Sequence, residues 1–184
     1  MKRWRAFLVP GALVVAVLAF ALVSLDSGDD DDVEPVLIEA AGPTFATIGE
    51  MAAAADLVVE ATVIADDDGR TLTDPANPDA GLRTRLYQLA VDDVLVGETG
   101  DAVLVEQEHQ LLDGTPIIVN GLTPHSIGDS GLWFLVVGDS EEFPFTAVIN
   151  EQGRVLVDTD GTVDTDLLPD GSPLDQLRAA TLGR

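Results

Sequence analysis

"LWFLVVG", residues 132–138, is the stretch that decides the fold. Its unbroken apolar run leaves neither face of a strand polar, so a strand built from it is buried on both sides and suits the centre of a sheet or barrel. Trp133 and Phe134 are sequence neighbours and point to opposite faces of such a strand, one towards the core and the other towards a second layer or a partner. Upstream, "DLVVEATVIADDDG" alternates, with Leu57, Val59, Ala61 and Val63 on one apolar face. In "LRTRLYQLAVDDVLVG", Tyr87, Leu89 and Val91 share a face, and "AVLVEQE" follows as the neighbouring strand. Residues 66–81, "DDDGRTLTDPANPDAG", read as a long turn-rich loop.

Downstream, "PFTAVIN", "GRVLVD" and "TVD" are expected to complete a meander, with "NEQG" and "DTDG" as turns. In the last hairpin, a two-residue turn at Asp160 and Gly161 would set a charge beside an apolar group twice. A four-residue loop, Asp158 to Gly161, which pairs Leu156 with Val163, is preferred. Two helices frame the strands. Thr47 and Glu50 stand at capping-box spacing before a helix over 48–55. In "SPLDQLRAATLG", Ser172 is the expected cap, Pro173 the first helical position, and Leu174, Leu177 and Thr181 the inward stripe.

Six or seven strands on short turns, with a helix before and after, predict a mainly β chain forming a small closed or nearly closed β-barrel, since closure removes exposed edges. A β-sandwich is the alternative, although the Cys and Trp framework of immunoglobulin domains is missing. The hydrophobic fraction is 46% but the aromatic fraction only 5%, so Val, Leu, Ile and Ala must supply most of the core. There is no cysteine. That excludes disulfides, thiol catalysis, thiolate metal sites and a lipid attached to Cys.

The N-terminus predicts location. "MKRWR" is followed by residues 6–25, "AFLVPGALVVAVLAFALVSL", which carry no charge. As a helix this run spans roughly 30 Å, the thickness of a bilayer's hydrocarbon core. The positive flank stays on the cytoplasmic side and sends the remainder outward. Two readings stand: an uncleaved transmembrane signal anchor, or a signal peptide cut after Ala21, where Ala19 and Ala21 give a small-x-small pattern. Residues 26–43 are acidic without one basic side chain and read as a spacer. The expected organisation is a cytoplasmic basic end (1–5), a membrane segment (6–25), an acidic linker (26–43) and an extracytoplasmic domain (44–184).

All 33 acidic residues, but only six of the nine basic ones, lie beyond that segment, and the net charge of the chain is −24. Such a field repels phosphate backbones and anionic lipid headgroups, so nucleic acid is excluded as a partner. The membrane, through the N-terminal helix, and another envelope protein are the expected partners.

The series "ADLVVEATV", "YQLAVDDVLVGE", "LWFLVV" and "GRVLVDTDGTV" resembles a loosely defined group of exported bacterial domains of unknown function. Their barrel is similar to the OB-like fold of netrin and tissue-inhibitor modules. The resemblance covers about residues 45–165. The chain departs from it in having Val96 where Lys is common and in lacking the cysteines of the animal modules. It implies an OB-like barrel and no activity.

Several motifs invite a chemical reading. "GDSG", residues 128–131, copies the core of the nucleophile motif of trypsin-like proteases and would nominate Ser130, with His125 or His109 as base. Leu132 and Trp133 follow where that family has Gly-Pro, so a tight turn into the central strand is preferred. Glu106, Glu108, His109 and His125 contain metal-ligating types, but Glu106 and Glu108 share a strand face and His109 points to the other. "DTDGTVDTD" fails as an EF-hand, because the first and twelfth loop positions fall on Leu156 and Leu167. The calcium reading that is left is an irregular site at Asp158, Asp160 and Asp164, or at Asp66 to Asp68. Asp29 to Asp32 lack the fixed oxygen cage that calcium needs. Phe143 and Phe145, flanking Pro144, are expected in core or edge packing rather than in an exposed apolar patch.

The sequence therefore predicts a non-catalytic, membrane-anchored extracytoplasmic binding module with no cofactor, metal or catalytic residue. The alternatives are a serine hydrolase using Ser130 and His125, and a calcium-dependent structural domain.

Overall fold

The computed structural model describes residues 34–40, 42–138, 144–163 and 165–183. Residues 1–33, which hold the predicted membrane segment and Asp29 to Asp32, lie outside them, as do Phe143 and Asp164. Among the described residues no helix is long and apolar enough to cross a membrane.

The described chain is mainly β. Its elements run β1 (Val36–Ile38), α1 (Ile48–Ala54), β2 (Leu57–Asp74), β3 (Asn77–Val96), β4 (Ala102–Leu111), β5 (Ile117–Val119), β6 (Ser130–Val136), β7 (Ala147–Val148), a 3-10 turn (Glu151–Gly153), β8 (Arg154–Leu156), β9 (Thr162–Val163), β10 (Ser172–Pro173) and α2 (Leu174–Thr181). One six-stranded sheet dominates, in the order β4-β3-β2-β6-β7, with β8 also on β6. The two remaining sheets are two-stranded: β1 lies parallel to β5, and β9 antiparallel to β10.

The sheet curls on itself without closing, so of the closed or nearly closed barrel that the sequence predicts the closed form is not realised. Its two edges meet at a single parallel bridge, Val105 with Thr146, sealed by one bond from the Glu106 N–H to the Thr146 carbonyl at 2.7 Å. Strand β7, only Ala147–Val148, is too short to carry a ladder along β4.

The central strand behaves as its composition requires. Trp133 and Leu135 point into the curl, where they meet Leu57, Val59, Ala61 and Val63 of β2, Tyr87 and Leu89 of β3, and Val105 of β4. Leu132 and Phe134 point outward into a second core with Val58, Val155 and Val163, roofed by Ile48, Met51 and Ala52 of α1 and Leu177 of α2. Burying each large side chain stabilises the fold by roughly 1.5–3 kcal/mol, so a strand with two buried faces contributes twice what a half-exposed one does. Gly131 is required at the head of β6, because a Cβ there would lie 2.1 Å from the Val155 carbonyl oxygen of β8.

Helix α1 begins at Thr47, whose Oγ1 accepts the Glu50 N–H at 3.1 Å, while the Glu50 carboxylate accepts the Ala46 N–H at 3.1 Å. Thr47→Ala is expected to cost about 1 kcal/mol, read as a lowered midpoint in thermal unfolding. Helix α2 starts one residue later than the sequence reading has it. Pro173 is its N-cap and makes no side-chain bond, and Ser172 instead donates to the Pro169 carbonyl at 2.7 Å. The inward residues Leu177 and Thr181 are as predicted. The Arg178 guanidinium ties α2 to the sheet through Glu60, with Nε donating to Oε2 at 2.8 Å.

Four expectations need correction. Residues 66–81 are not a loop but two strands, β2 and β3 continuing outward as a hairpin closed by Asp74 opposite Asn77. Their pairing overrides the turn-forming composition. Strands β7 and β8 do not run as a meander; both pair with β6, Leu135 opposite Val148 and Leu132 opposite Val155, and the 3-10 turn between them lets one edge serve both. In the last hairpin, Val157 opposes Val163. The Asp158 N–H bonds the Thr162 carbonyl at 2.8 Å and Gly161 has φ +83°. This is the three-residue loop with a left-handed last residue, which lies between the two registers weighed from sequence. Finally, the acidic linker does not extend to residue 43 as free spacer, since Val36–Ile38 pair with Ile117–Val119. The Ala40 N–H then bonds the Asn120 side chain at 2.7 Å.

Candidate functional site

The described residues form a cleft of about 300 Å³, lined by Arg70, Leu72, Thr84, Glu106, Glu108, Val136, Val137, Gly138, Phe145 and Ala147. Its floor begins with an irregularity. In the β2–β3 ladder Asp68 opposes Arg85 and Thr71 opposes Arg83, so Gly69 and Arg70 together face Thr84. Such a bulge bends a strand and re-aims a side chain. Gly69 permits it, since a Cβ there would sit 2.2 Å from Thr84 Oγ1 and 2.9 Å from the Thr84 backbone.

Arg70, thus turned, grips Glu106 on β4 with a two-pronged fork: Nε to Oε1 and Nη2 to Oε2, each 2.8 Å. Thr84 Oγ1 donates to Glu106 Oε1 at 2.8 Å and accepts the Arg70 N–H at 2.9 Å. The Glu106 carboxylate, with its side chain only 10% exposed, is therefore fully engaged. Two residues on, Glu108 lies on the same face of β4, as the alternation with buried Val105 and Gln107 requires. Glu108 is exposed and has no hydrogen bond or ion pair with any other described residue. Leu72, Val136, Val137, Phe145 and Ala147 supply apolar wall.

A second polar cluster closes one end of the curl. The His125 ring packs edge-on against Tyr87, with centroids 4.5 Å apart, and against Trp133 at 4.9 Å. Arg154 Nη1 donates to His125 Nδ1 at 2.6 Å and to the Thr123 carbonyl at 2.9 Å, and Nη2 donates to Thr123 Oγ1 at 2.8 Å. Because guanidinium only donates, Nδ1 must be the bare acceptor and the imidazole proton sits on Nε2. Burial, reinforced by the Arg154 charge, pushes the His125 pKa down to about 3. The ring is neutral at any physiological pH. Gln107 Nε2 donates to the Leu122 and Thr123 carbonyls at 2.9 and 3.2 Å, which fastens the same loop to β4.

The structure does not assemble the sequence candidates into a catalytic or metal-binding set. Ser130 Oγ accepts from Thr62 Oγ1 at 3.1 Å, and no hydrogen bond joins Ser130 to either histidine among the described residues. His125 is turned inward by Arg154 instead. His109 lies on the face of β4 opposite to Glu106 and Glu108, and its pKa is lowered, first by burial and then by Arg85. No group of three or more His, Cys, Asp or Glu that could hold a metal occurs among the described residues. Asp160 Oδ1 accepts both the Thr162 N–H at 2.9 Å and the Thr162 hydroxyl at 2.6 Å, a local turn bond that depresses its pKa. Asp66 sits on β2 and pairs with Arg85 at 2.9 Å. Phe145 is half-buried in the cleft wall.

The sequence reading names Glu106 and Glu108 but misses Arg70 and Thr84, which lie 36 and 22 residues from Glu106. The one available signal is Gly69 directly after three aspartates in an otherwise alternating strand, which is a bulge pattern. No family model, curated protein or solved structure matches the chain.

Proposed function

We propose that this chain is a non-catalytic binding module held outside the cytoplasm by its N-terminal segment, with an OB-like, partly open barrel as framework and the cleft beside Arg70 and Glu106 as its binding place. The observation that carries the reading is where the cleft lies. Its lining comes from the β2–β3 hairpin (Arg70, Leu72), from the adjoining faces of β3 and β4 (Thr84, Glu106, Glu108) and from the ends of the β6–β7 connection (Val137, Gly138, Phe145). In a five-stranded, partly open Greek-key barrel the second and third strands and the loops joining strands one to two and four to five form the binding face. Counting β2, β3, β4, β6 and β7 as the five puts the cleft on that face. The sheet order and the parallel bridge between Val105 and Thr146 support the same framework.

The −24 charge argues against a nucleic acid as occupant and for a protein of the envelope. Export and anchoring rest on Lys2, Arg3 and Arg5 preceding the uncharged residues 6–25. The absence of catalysis rests on Ser130 bonding Thr62 and on His125 being held by Arg154.

A C-terminal fusion to an alkaline phosphatase that folds only after export tests the location. The phosphatase is expected to be active and to stay with carbonate-washed membranes, or to appear outside the cell if the chain is cut after Ala21. An inactive fusion with full-length product in the cytosol overturns the reading. In the same preparation a fluorophosphonate probe is expected to leave Ser130 unmodified, and labelling there would transfer the assignment to the hydrolase.

A further inference from the structure

We infer that the cleft recognises an arginine side chain flanked by aliphatic residues in an extended segment of a partner protein, with Glu108 as the charge acceptor and Val136, Val137, Phe145 and Ala147 as the seat for its stem. The inference rests on the binding-module reading and supplies the chemistry of its ligand.

Three observations lead there. The first is that the cleft already holds a guanidinium: Arg70 lies in it with Nε and Nη2 on Glu106, so the space between this face of β4 and the apolar wall accommodates that planar group. The second is an imbalance. Among the described residues of the lining, two carboxylates, Glu106 and Glu108, share the face, and Arg70 is the one cationic side chain. Glu106 accepts Arg70 Nε and Nη2 and the Thr84 hydroxyl, whereas Glu108 stands beside apolar groups with no ion pair to any other described residue. The third is the wall itself. Val137 is 51% exposed although it follows directly on the buried central strand, and it borders the cleft together with Val136 and Phe145. Long basic side chains lay their methylene stems along such surfaces while keeping the charge at the polar end.

A cation is the complementary choice in a chain of net charge −24, which also draws a basic segment towards it at long range. Arginine fits better than lysine, because its flat fork matches a carboxylate in two bonds and its weakly hydrated faces lie readily on apolar groups. A volume of about 300 Å³ is at the small end for binding pockets and suits one side chain with its neighbours rather than a folded surface.

Methyl-labelled full-length protein in neutral detergent micelles, titrated with acetyl-Val-Arg-Val-amide, tests this. Saturable shifts at Leu72, Val136, Val137 and Ala147 methyls are expected at millimolar peptide, with much weaker shifts for acetyl-Val-citrulline-Val-amide, which keeps the shape without the charge. Glu108→Gln, at an exposed position where folding is not at stake, is expected to weaken binding about three- to fivefold, and Glu108→Lys to abolish it. Equal shifts with the citrulline and Arg peptides, no saturable shift at those methyls, or undiminished binding in Glu108→Lys each overturns the proposal. None of these results depends on where the protein resides in the cell, so failure here is distinguishable from an inactive phosphatase fusion.

Discussion

Trp133→Ala is expected to lower the free energy of unfolding by about 3–5 kcal/mol, the usual cost of truncating a buried aromatic side chain to alanine. Trp133 is fully buried at the middle of β6, and its ring faces the inner core formed by four strands. Its indole N–H donates to the Ala61 carbonyl of β2 at 3.0 Å, and its ring stands nearly perpendicular to that of His125, with centroids 4.9 Å apart. Three losses therefore coincide: apolar burial, a cavity that the curled sheet cannot collapse around, and an orphaned polar contact. Domains of this size are stable by about 5–15 kcal/mol, so the variant should be largely unfolded well below the melting temperature of the parent. Far-ultraviolet circular dichroism during urea unfolding measures it. Trp133→Phe refills most of the space and loses only the hydrogen bond, and is expected to recover all but about 1–2 kcal/mol. If alanine cost less than about 1 kcal/mol, the inner core would not be organised around this residue.

The prominence of Trp133 is legible from the sequence because the signal is local. Six apolar residues in a row, bounded by glycines and too few for an ordinary helix, fit a strand with two buried faces, and both faces are filled as that demands, Trp133 and Leu135 inside, Leu132 and Phe134 under the helices. The helices are legible for the same reason, since Thr47 and Glu50 or Leu177 and Thr181 carry their meaning within one or two turns of chain. What escapes is set by partners distant in sequence. The hairpin arm over residues 66–81 looks like a loop because Asp, Gly and Pro dominate it, yet residues 82–85 of β3 pair with β4 and hold the arm in the ladder. The closure of the barrel depends on the length of β7, and nothing in "TAVIN" says that it stops after two paired residues. Glu106 and Glu108 can be placed on one face by alternation, whereas Arg70 reaches Glu106 only through a bulge that Gly69 makes possible. At His125 the local signal misleads most. Five residues before Ser130 it suggests a base, but the turn at Gly128 (φ +99°) separates the two, and the imidazole goes to Arg154, 29 residues away.

That inward imidazole makes the stability of the domain depend on pH between the folded and unfolded pKa of one histidine. In the folded chain burial, and secondarily Arg154, hold the His125 pKa at about 3. In the unfolded chain it returns to its ordinary value near 6.5. Between these values the unfolded state carries a proton that the folded state refuses, so stability rises with pH there. As pH falls from 6.5 towards 3, the folded state should lose about 1.4 kcal/mol per unit from this residue. Above 6.5 the contribution is flat, and below 3 no further loss accrues. Carboxylates titrate in the lower half of the window, and in a chain this acidic their neutralisation relieves repulsion. A difference between two proteins isolates the histidine from them. His125→Gln keeps an acceptor in reach of Arg154 but has no proton to take up, and its urea-derived stability should fall less steeply than that of the parent from pH 6.5 down to pH 4.5. The two curves are expected to converge by about 2–3 kcal/mol over that range. Parallel curves would mean that His125 is protonated in the folded state as readily as in the unfolded one, which a donor at 2.6 Å from its bare nitrogen forbids.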